Sequence, residues 1–340
     1  MNADTRNVRP VGGPVLAIPR RPAVGAPLTK QQWRQLGLIT LGAIAIFVFM
    51  RRLPTGTNLS HMDFRVNAKN SIEFCDPLNP QFIPVVAVAS PVTMTLSATP
   101  AIAGEPVTAV FTLRTASGKP IAPEDLLVVH TQRLHLLIID PTLTDYQHVH
   151  PSPKARPGDW GFQFTPKRTG VYRIFADFTP TATSRGLYAN TELNVSPRSA
   201  AAPGRSSADA PVIDRVPRQV IERDGYRFAL VPAVTPIRVR QPADLKFTVS
   251  RPDGGPVPLQ LVMDSYAHLV AFDEARMGFA HLHPTNVDLS RPPDALRPTM
   301  SFKIMIPTAG RYVIWAQINL GGRERFFPFW FDVVSASGGN

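Results

Sequence analysis

The chain has 340 residues, 44% of them hydrophobic, which allows two domains with real cores and excludes global disorder. Its 36 prolines, roughly twice the usual share, disfavour helix interiors and point to β modules joined by extended segments. The net charge of +11 is not a nucleic-acid signature: residues 1–52 carry eight Lys/Arg against one acid, and the rest is nearly balanced at 28 bases and 24 acids.

Residues 1–34 form a Pro/Arg-rich tail with neither periodicity nor enough apolar surface to fold alone, so order there requires a partner. The stretch "QLGLITLGAIAIFVFM" at 35–50 is uncharged, and residues 35–53 are expected to anchor the chain in a lipid bilayer. Trp33 suits one interface, and Arg51 and Arg52 can snorkel at the other. Six basic residues precede the segment, so the tail is expected in the cytoplasm and the bulk of the chain outside it. "RRLPTG" after the apolar run lacks a small-x-small cleavage site, which favours an uncleaved anchor over a signal peptide.

Residues 54–90 read as an extended connector, interrupted by "CDPLNPQFIP". Cys75, the sole cysteine, rules out an internal disulfide and is expected to be a small buried apolar side chain. From 91 to 195, short alternating runs such as "VTAVFTLRT", "LHLLIID", "YQHVH" and "VYRIFADFT" predict an antiparallel β-sandwich of immunoglobulin or cupredoxin kind. A low-complexity linker follows at 196–211. The strand series restarts over 212–334 and leaves a short tail at 335–340. The two copies align through Phe111/Phe247, Asp140/Asp273, Gly170/Gly310 and Tyr172/Tyr312. The fold class is therefore all-β, two tandem sandwiches after one N-terminal transmembrane helix.

Each copy carries His-x12-His-x-His-Pro: His135, His148 and His150 in the first, His268, His281 and His283 in the second. "PTLTD" between "LHLLIID" and "YQHVHP" predicts a hairpin that brings His135 to His150 across the ladder. Alternation puts Tyr146, His148 and His150 on one face, and Phe279, His281 and His283 likewise, with Met277 extending the second. Whether His135 joins that face depends on register. Three neutral imidazoles can ligate copper or zinc and leave a position open. The first expectation for the same rings is that they fix the hairpin by hydrogen bonding, with a metal site second and acid–base chemistry third. No Cys stands beside either motif and only Met277 lies near one, which counts against electron-transfer copper. His130 occurs in copy one only and His61 in the connector, so neither is expected in a shared site. Asp140 and Asp273 read as turn residues.

"HLLIIDPTLTDYQHVHP", with "WGFQFTP" and "GVYRIFADF" after it, resembles bacterial extracytoplasmic β-sandwich domains described as cupredoxin-like or heavy-metal-associated. The resemblance spans about 100 residues in each copy and implies fold more strongly than ligand. It extends to neither the anchor nor the tail; together with the anchor read above, a bacterial inner-membrane location with a periplasmic bulk is expected.

No GxSxG, GxGxxG, P-loop or HExxH occurs in the chain, so a non-enzyme with no required cofactor is expected. The expected role is a scaffold or accessory subunit docked on subunits of an integral membrane complex of respiratory or photosynthetic type, with no nucleic acid. Trp33, Met277, Phe279, Phe327, Phe329 and Trp330 are its candidate partner contacts, the last three from "RFFPFWFDVV". The alternative is a periplasmic copper- or zinc-handling protein that uses the histidine clusters.

Overall fold

The computed structural model describes residues 27–52, 59–64, 82–198, 216–285 and 288–335. Residues 1–26 of the tail expected over 1–34, most of the connector with Cys75, and most of the linker lie outside them. The chain divides into two compact units, 1–55 and 56–340.

In the first unit a helix, α1 (Lys30–Arg52), starts five residues before the uncharged run. Thr29 and Gln32 cap it reciprocally: the Gln32 amide donates to Thr29 Oγ1 at 3.3 Å and the Thr29 amide to Gln32 Oε1 at 2.9 Å. Its 23 residues rise roughly 34 Å, against a hydrocarbon core of about 30 Å. By length and composition α1 is able to cross a membrane.

The second unit is a duplicated β-sandwich. Copy one has β1 (Val92–Ala98), β2 (Val107–Thr115), β3 (Leu134–Ile139), β4 (Tyr146–Val149), β5 (Ser152–Pro153), β6 (Asp159–Phe164), β7 (Gly170–Phe178) and β8 (Leu187–Val195). They form sheets β1-β2-β6-β5 and β4-β3-β7-β8. Copy two begins with β9 (Val220–Arg223), β10 (Tyr226–Pro232), β11 (Ile237–Arg238), β12 (Pro242–Ser250) and β13 (Leu259–Gln260). It continues with β14 (His268–Asp273), β15 (Phe279–Leu282), β16 (Thr299–Met305), β17 (Gly310–Leu320) and β18 (Arg323–Val334). Its sheets are β16-β12-β10-β9 and β11-β18-β17-β14-β15, with β13 also on β17. The order β1-β2-β6 recurs as β10-β12-β16, and β4-β3-β7-β8 as β15-β14-β17-β18, so the duplication extends to topology.

Three apolar cores follow from the period of two along each strand. In β3, Leu134, Leu136 and Ile138 enter the core of copy one, while Leu137 and Ile139 point to the opposite face. In β14, Leu269 and Ala271 enter the core of copy two, and Val270 and Phe272 point out of it. These outward faces meet in a third core, with Tyr146, Phe175 and Tyr188 from copy one and Phe279, Val313, Trp315 and Trp330 from copy two. The sandwiches therefore pack sheet against sheet.

The end of the connector belongs to this packing. Phe82 meets Tyr312 edge-on at 5.3 Å in the core of copy two, while Ile83 and Val85 are buried between the sandwiches. Ile83 also exchanges backbone hydrogen bonds with Phe279 at 2.8 and 3.1 Å.

Burial removes most of the expected partner contacts. Phe327 and Phe329 lie in the core of copy two, and Phe279 and Trp330 lie between the sandwiches. Met277 is half-buried and accepts the Val86 amide through its carbonyl at 2.9 Å. The cause is strand alternation between two covered faces: β18 sends alternate aromatics into two different cores, leaving no aromatic patch there. Trp33, on α1, is 61% exposed.

Candidate metal centre between the sandwiches

The register Leu136↔Val149 and Leu137↔His148 puts His135 opposite His150, with ring centroids 5.1 Å apart. In copy two, Val270↔His281 does the same for His268 and His283, at 4.9 Å. His135 shares the outward face with Leu137 and Ile139, as His268 does with Val270 and Phe272, so every motif histidine faces the other sandwich. The six imidazoles, expected as one cluster in each sandwich, lie together in a single cluster between them.

The grouping differs from the one expected. His135, His148 and His150 converge, with ligand nitrogens all within 4.8 Å of one another. The second convergent triad is His130, His268 and His283, also within 4.8 Å. His130 is thus in the site: it stacks on His283 of the other copy at 3.7 Å. It was missed because it sits in a β-turn of copy one, and its closeness to copy two depends on packing that one repeat does not reveal. His281 lies between the triads, 5.4 Å from His148, 5.5 Å from His135 and 4.7 Å from His283. His61 sits in the 3₁₀ turn His61–Phe64, in a part of the fold separate from these rings.

The hydrogen bonds fix where the protons are. His135 Nε2 donates to the Val129 carbonyl at 3.1 Å, since a carbonyl can only accept. Gln317 Nε2 donates to Glu324 at 2.8 Å, which turns Gln317 Oε1 towards His148 Nδ1, also at 2.8 Å, so that nitrogen donates. The remaining nitrogens, His135 Nδ1 and His148 Nε2, then face each other as two lone pairs 3.1 Å apart. Across the interface, His281 Nδ1 donates to Asp177 Oδ2 at 2.9 Å. Among the described residues, His281 Nε2, His150 Nε2, His283 Nε2 and both ring nitrogens of His268 are buried with no hydrogen-bond partner.

Burial keeps the rings neutral. It lowers His135 to about 4 and holds His148, His268, His281 and His283 well below the usual imidazole range, with neighbouring imidazoles adding to the effect. His130 and His150 are lowered for the same first reason. Burial also pushes the Asp177 carboxyl up to about 6, against the pull of His135 and His130.

Asp140 and Asp273 are turn residues. Asp140 accepts the amides of Thr142, Thr144 and Asp145, and Asp273 accepts those of Met277 and Gly278.

A protein-family profile described as a domain of unknown function, DUF8832, matches residues 87–195 and 219–335. The chain belongs to this family of β domains, in two copies. A search of curated proteins gives no match. Among solved structures it is similar to the Lin-41 filamin domain, at 18% identity over 30% of this chain and 91% of that one, with a TM-score of 0.20. It is also similar to fibronectin(III)-like modules of Clostridium thermocellum CbhA, at 10% identity, 71% and 93% coverage and a TM-score of 0.18. A red sea bream transglutaminase matches at 6% identity, 72% and 32% coverage and a TM-score of 0.21.

Proposed function

We propose that this protein binds copper or zinc at the histidine centre between its two sandwiches. The facing lone pairs of His135 and His148 carry the reading. Two unprotonated imidazole nitrogens repel unless a cation sits between them. Their 3.1 Å separation is close to the edge of roughly 3.3 Å that a tetrahedral ion with bonds of about 2.0 Å imposes. A purely structural role for these rings requires partners for their nitrogens. Five of those nitrogens are buried and find no protein partner among the described residues, an arrangement that favours a bound cation over a purely structural role. The donor set is imidazole, which suits copper and zinc and not the hard, oxygen-seeking calcium and magnesium. Gln317, Val129 and Asp177 would act behind the ligands, fixing which nitrogen of each ring is bare.

In this reading α1 is an uncleaved anchor in a bacterial inner membrane, with the N-terminus cytoplasmic and the sandwiches, of immunoglobulin or cupredoxin kind, in the periplasm. Binding, rather than catalysis, is the activity. The test is metal analysis of the full-length protein purified in mild detergent, beside a His148→Ala/His281→Ala double variant. Copper or zinc in fixed ratio, lost in the variant, is the expected result. A metal-free protein that takes up neither ion on titration would overturn it.

The accessory-subunit reading keeps one observation in its favour. Leu38, Ile39 and Leu41 on α1 are 70–73% exposed, and lipid or the helices of a membrane complex could cover them. Stoichiometric partners in the same preparation would support it, alone or together with metal.

A further inference from the structure

The two halves of the centre are related by an approximate twofold axis, and three independent pairs of contacts establish it. Tyr146–Trp315 at 5.7 Å corresponds to Phe279–Phe175 at 5.3 Å. Tyr146–Phe326 at 5.7 Å corresponds to Phe279–Tyr188 at 5.3 Å. His148 bonded to Gln317 corresponds to His281 bonded to Asp177.

One position breaks the equivalence in a chemically specific way. His130 lies in a turn closed by the bridge Val129↔Gln132, with φ of 49° at His130 and 68° at Thr131. The matching turn of copy two is closed by Val262↔Ser265, with φ of 50° at Met263 and 56° at Asp264. His130 stands five residues before His135, and Met263 five before His268. The backbone is the same, but a thioether replaces an imidazole. His130 stacks on His283, so the same relation applied to copy two points Met263 towards His150, whose buried Nε2 has no hydrogen-bond partner among the described residues. Asp264, next to Met263, lies near enough for its charge to act on His130 across the copies.

We propose that the centre holds two metal ions in unlike sites, and that the Met263 sulfur is the fourth donor to the ion held by His135, His148 and His150. The other ion takes nitrogen only, from His130, His268 and His283, with His281 available as its fourth ligand. A soft thioether beside imidazoles selects copper, Cu(I) above all, whereas four imidazoles accept Cu(II) or zinc and carry no donor that favours Cu(I). This rests on the metal-binding reading above and gives each site its own metal preference.

The test uses the full-length protein in detergent, stripped of metal and titrated with Cu(I) against a chromogenic chelator, and separately with Zn(II). Wild type is expected to bind two Cu(I), and copper X-ray absorption should show a sulfur neighbour. Met263→Leu should lose that sulfur signal and weaken one Cu(I) by at least tenfold while zinc binding stays within twofold. Met277→Leu, which removes the half-buried methionine of the neighbouring hairpin, should change neither. A sulfur signal absent from wild type, or persisting in Met263→Leu, overturns the proposal, as does a single ion per chain. Wild type that binds no metal refutes the metal-binding reading itself, a separate outcome.

Discussion

Asp177 and Gln317 occupy the same position in the two copies, and each holds the central histidine of the other copy. In the ladders, Asp177 stands opposite His135 and Gln317 opposite His268. Their side chains reach across instead, Asp177 to His281 and Gln317 to His148. The exchange fixes the tautomers of both central rings and ties each sandwich to its twin.

Asp177→Asn tests what the charge adds. An amide oxygen can still accept from His281 Nδ1, so the ring keeps its place, but it loses the negative charge that would support a bound cation. Copper or zinc affinity should fall about 10-fold, at the lower end of what such supporting groups contribute, with little change in thermal stability. Competition titration against a chelator measures the first, and a melting curve the second. Unchanged affinity would mean that His281 is not a ligand.

The cluster predicts a specific acid sensitivity for the metal-free protein. All seven histidines of the cluster have native proton affinities lowered by burial, so below about pH 6.5 the unfolded chain binds protons that the native state refuses. Stability should therefore be full above that pH and fall as the pH drops towards 4. His135 alone, lowered to about 4, accounts for roughly 3 kcal/mol of this loss. Asp177, raised to about 6, works in the opposite sense by taking up a proton in the native state first, but it is one group against seven. Urea midpoints at pH 7.5 and 5.5 read the difference, and equal midpoints would contradict buried, neutral imidazoles.

The hairpin, the duplication and the convergence of His135, His148 and His150 were legible from alternation and from the His-x12-His spacing. The burial of the outward face was legible too, although it was not read: "LHLLII" in β3 has no alternation, the pattern of a strand covered on both sides. Two things lay beyond one repeat. The pairing of His130 with His268 and His283 depends on how the copies dock. The fate of "RFFPFWF" depended on there being two cores for its alternate side chains to enter.

Asp140 allows the fold to be perturbed without touching the centre. It is fully buried and accepts three amides of the loop that joins β3 to β4. Asp140→Ala leaves those donors without their acceptor and should cost about 3 kcal/mol. Metal stoichiometry should be unchanged in the protein that remains folded. Loss of metal at equal folded fraction would mean that the loop, not the strands, positions His148.

Gly278 shows how the second copy accommodates the connector. At the corresponding place copy one has Asp145, a buried carboxylate that accepts the Tyr172 hydroxyl at 2.7 Å. Copy two cannot repeat this, because the chain at Ile83 and Pro84 runs against it. A β-carbon on Gly278 would stand 1.8 Å from the Ile83 carbonyl oxygen and 2.7 Å from Pro84 Cα. Backbone cannot yield as a flexible side chain does, so Gly278→Ala should expel residues 82–86 or destabilise the fold by roughly 3 kcal/mol. Expulsion uncovers Ile83 and Val85, and with them the floor of the interface beside Phe279. Limited proteolysis should then cut near residues 82–86 where wild type resists, and hydrogen exchange at Phe279, whose amide bonds to Ile83, should speed up. A variant as protease-resistant as wild type would show that the connector is not packed against β15.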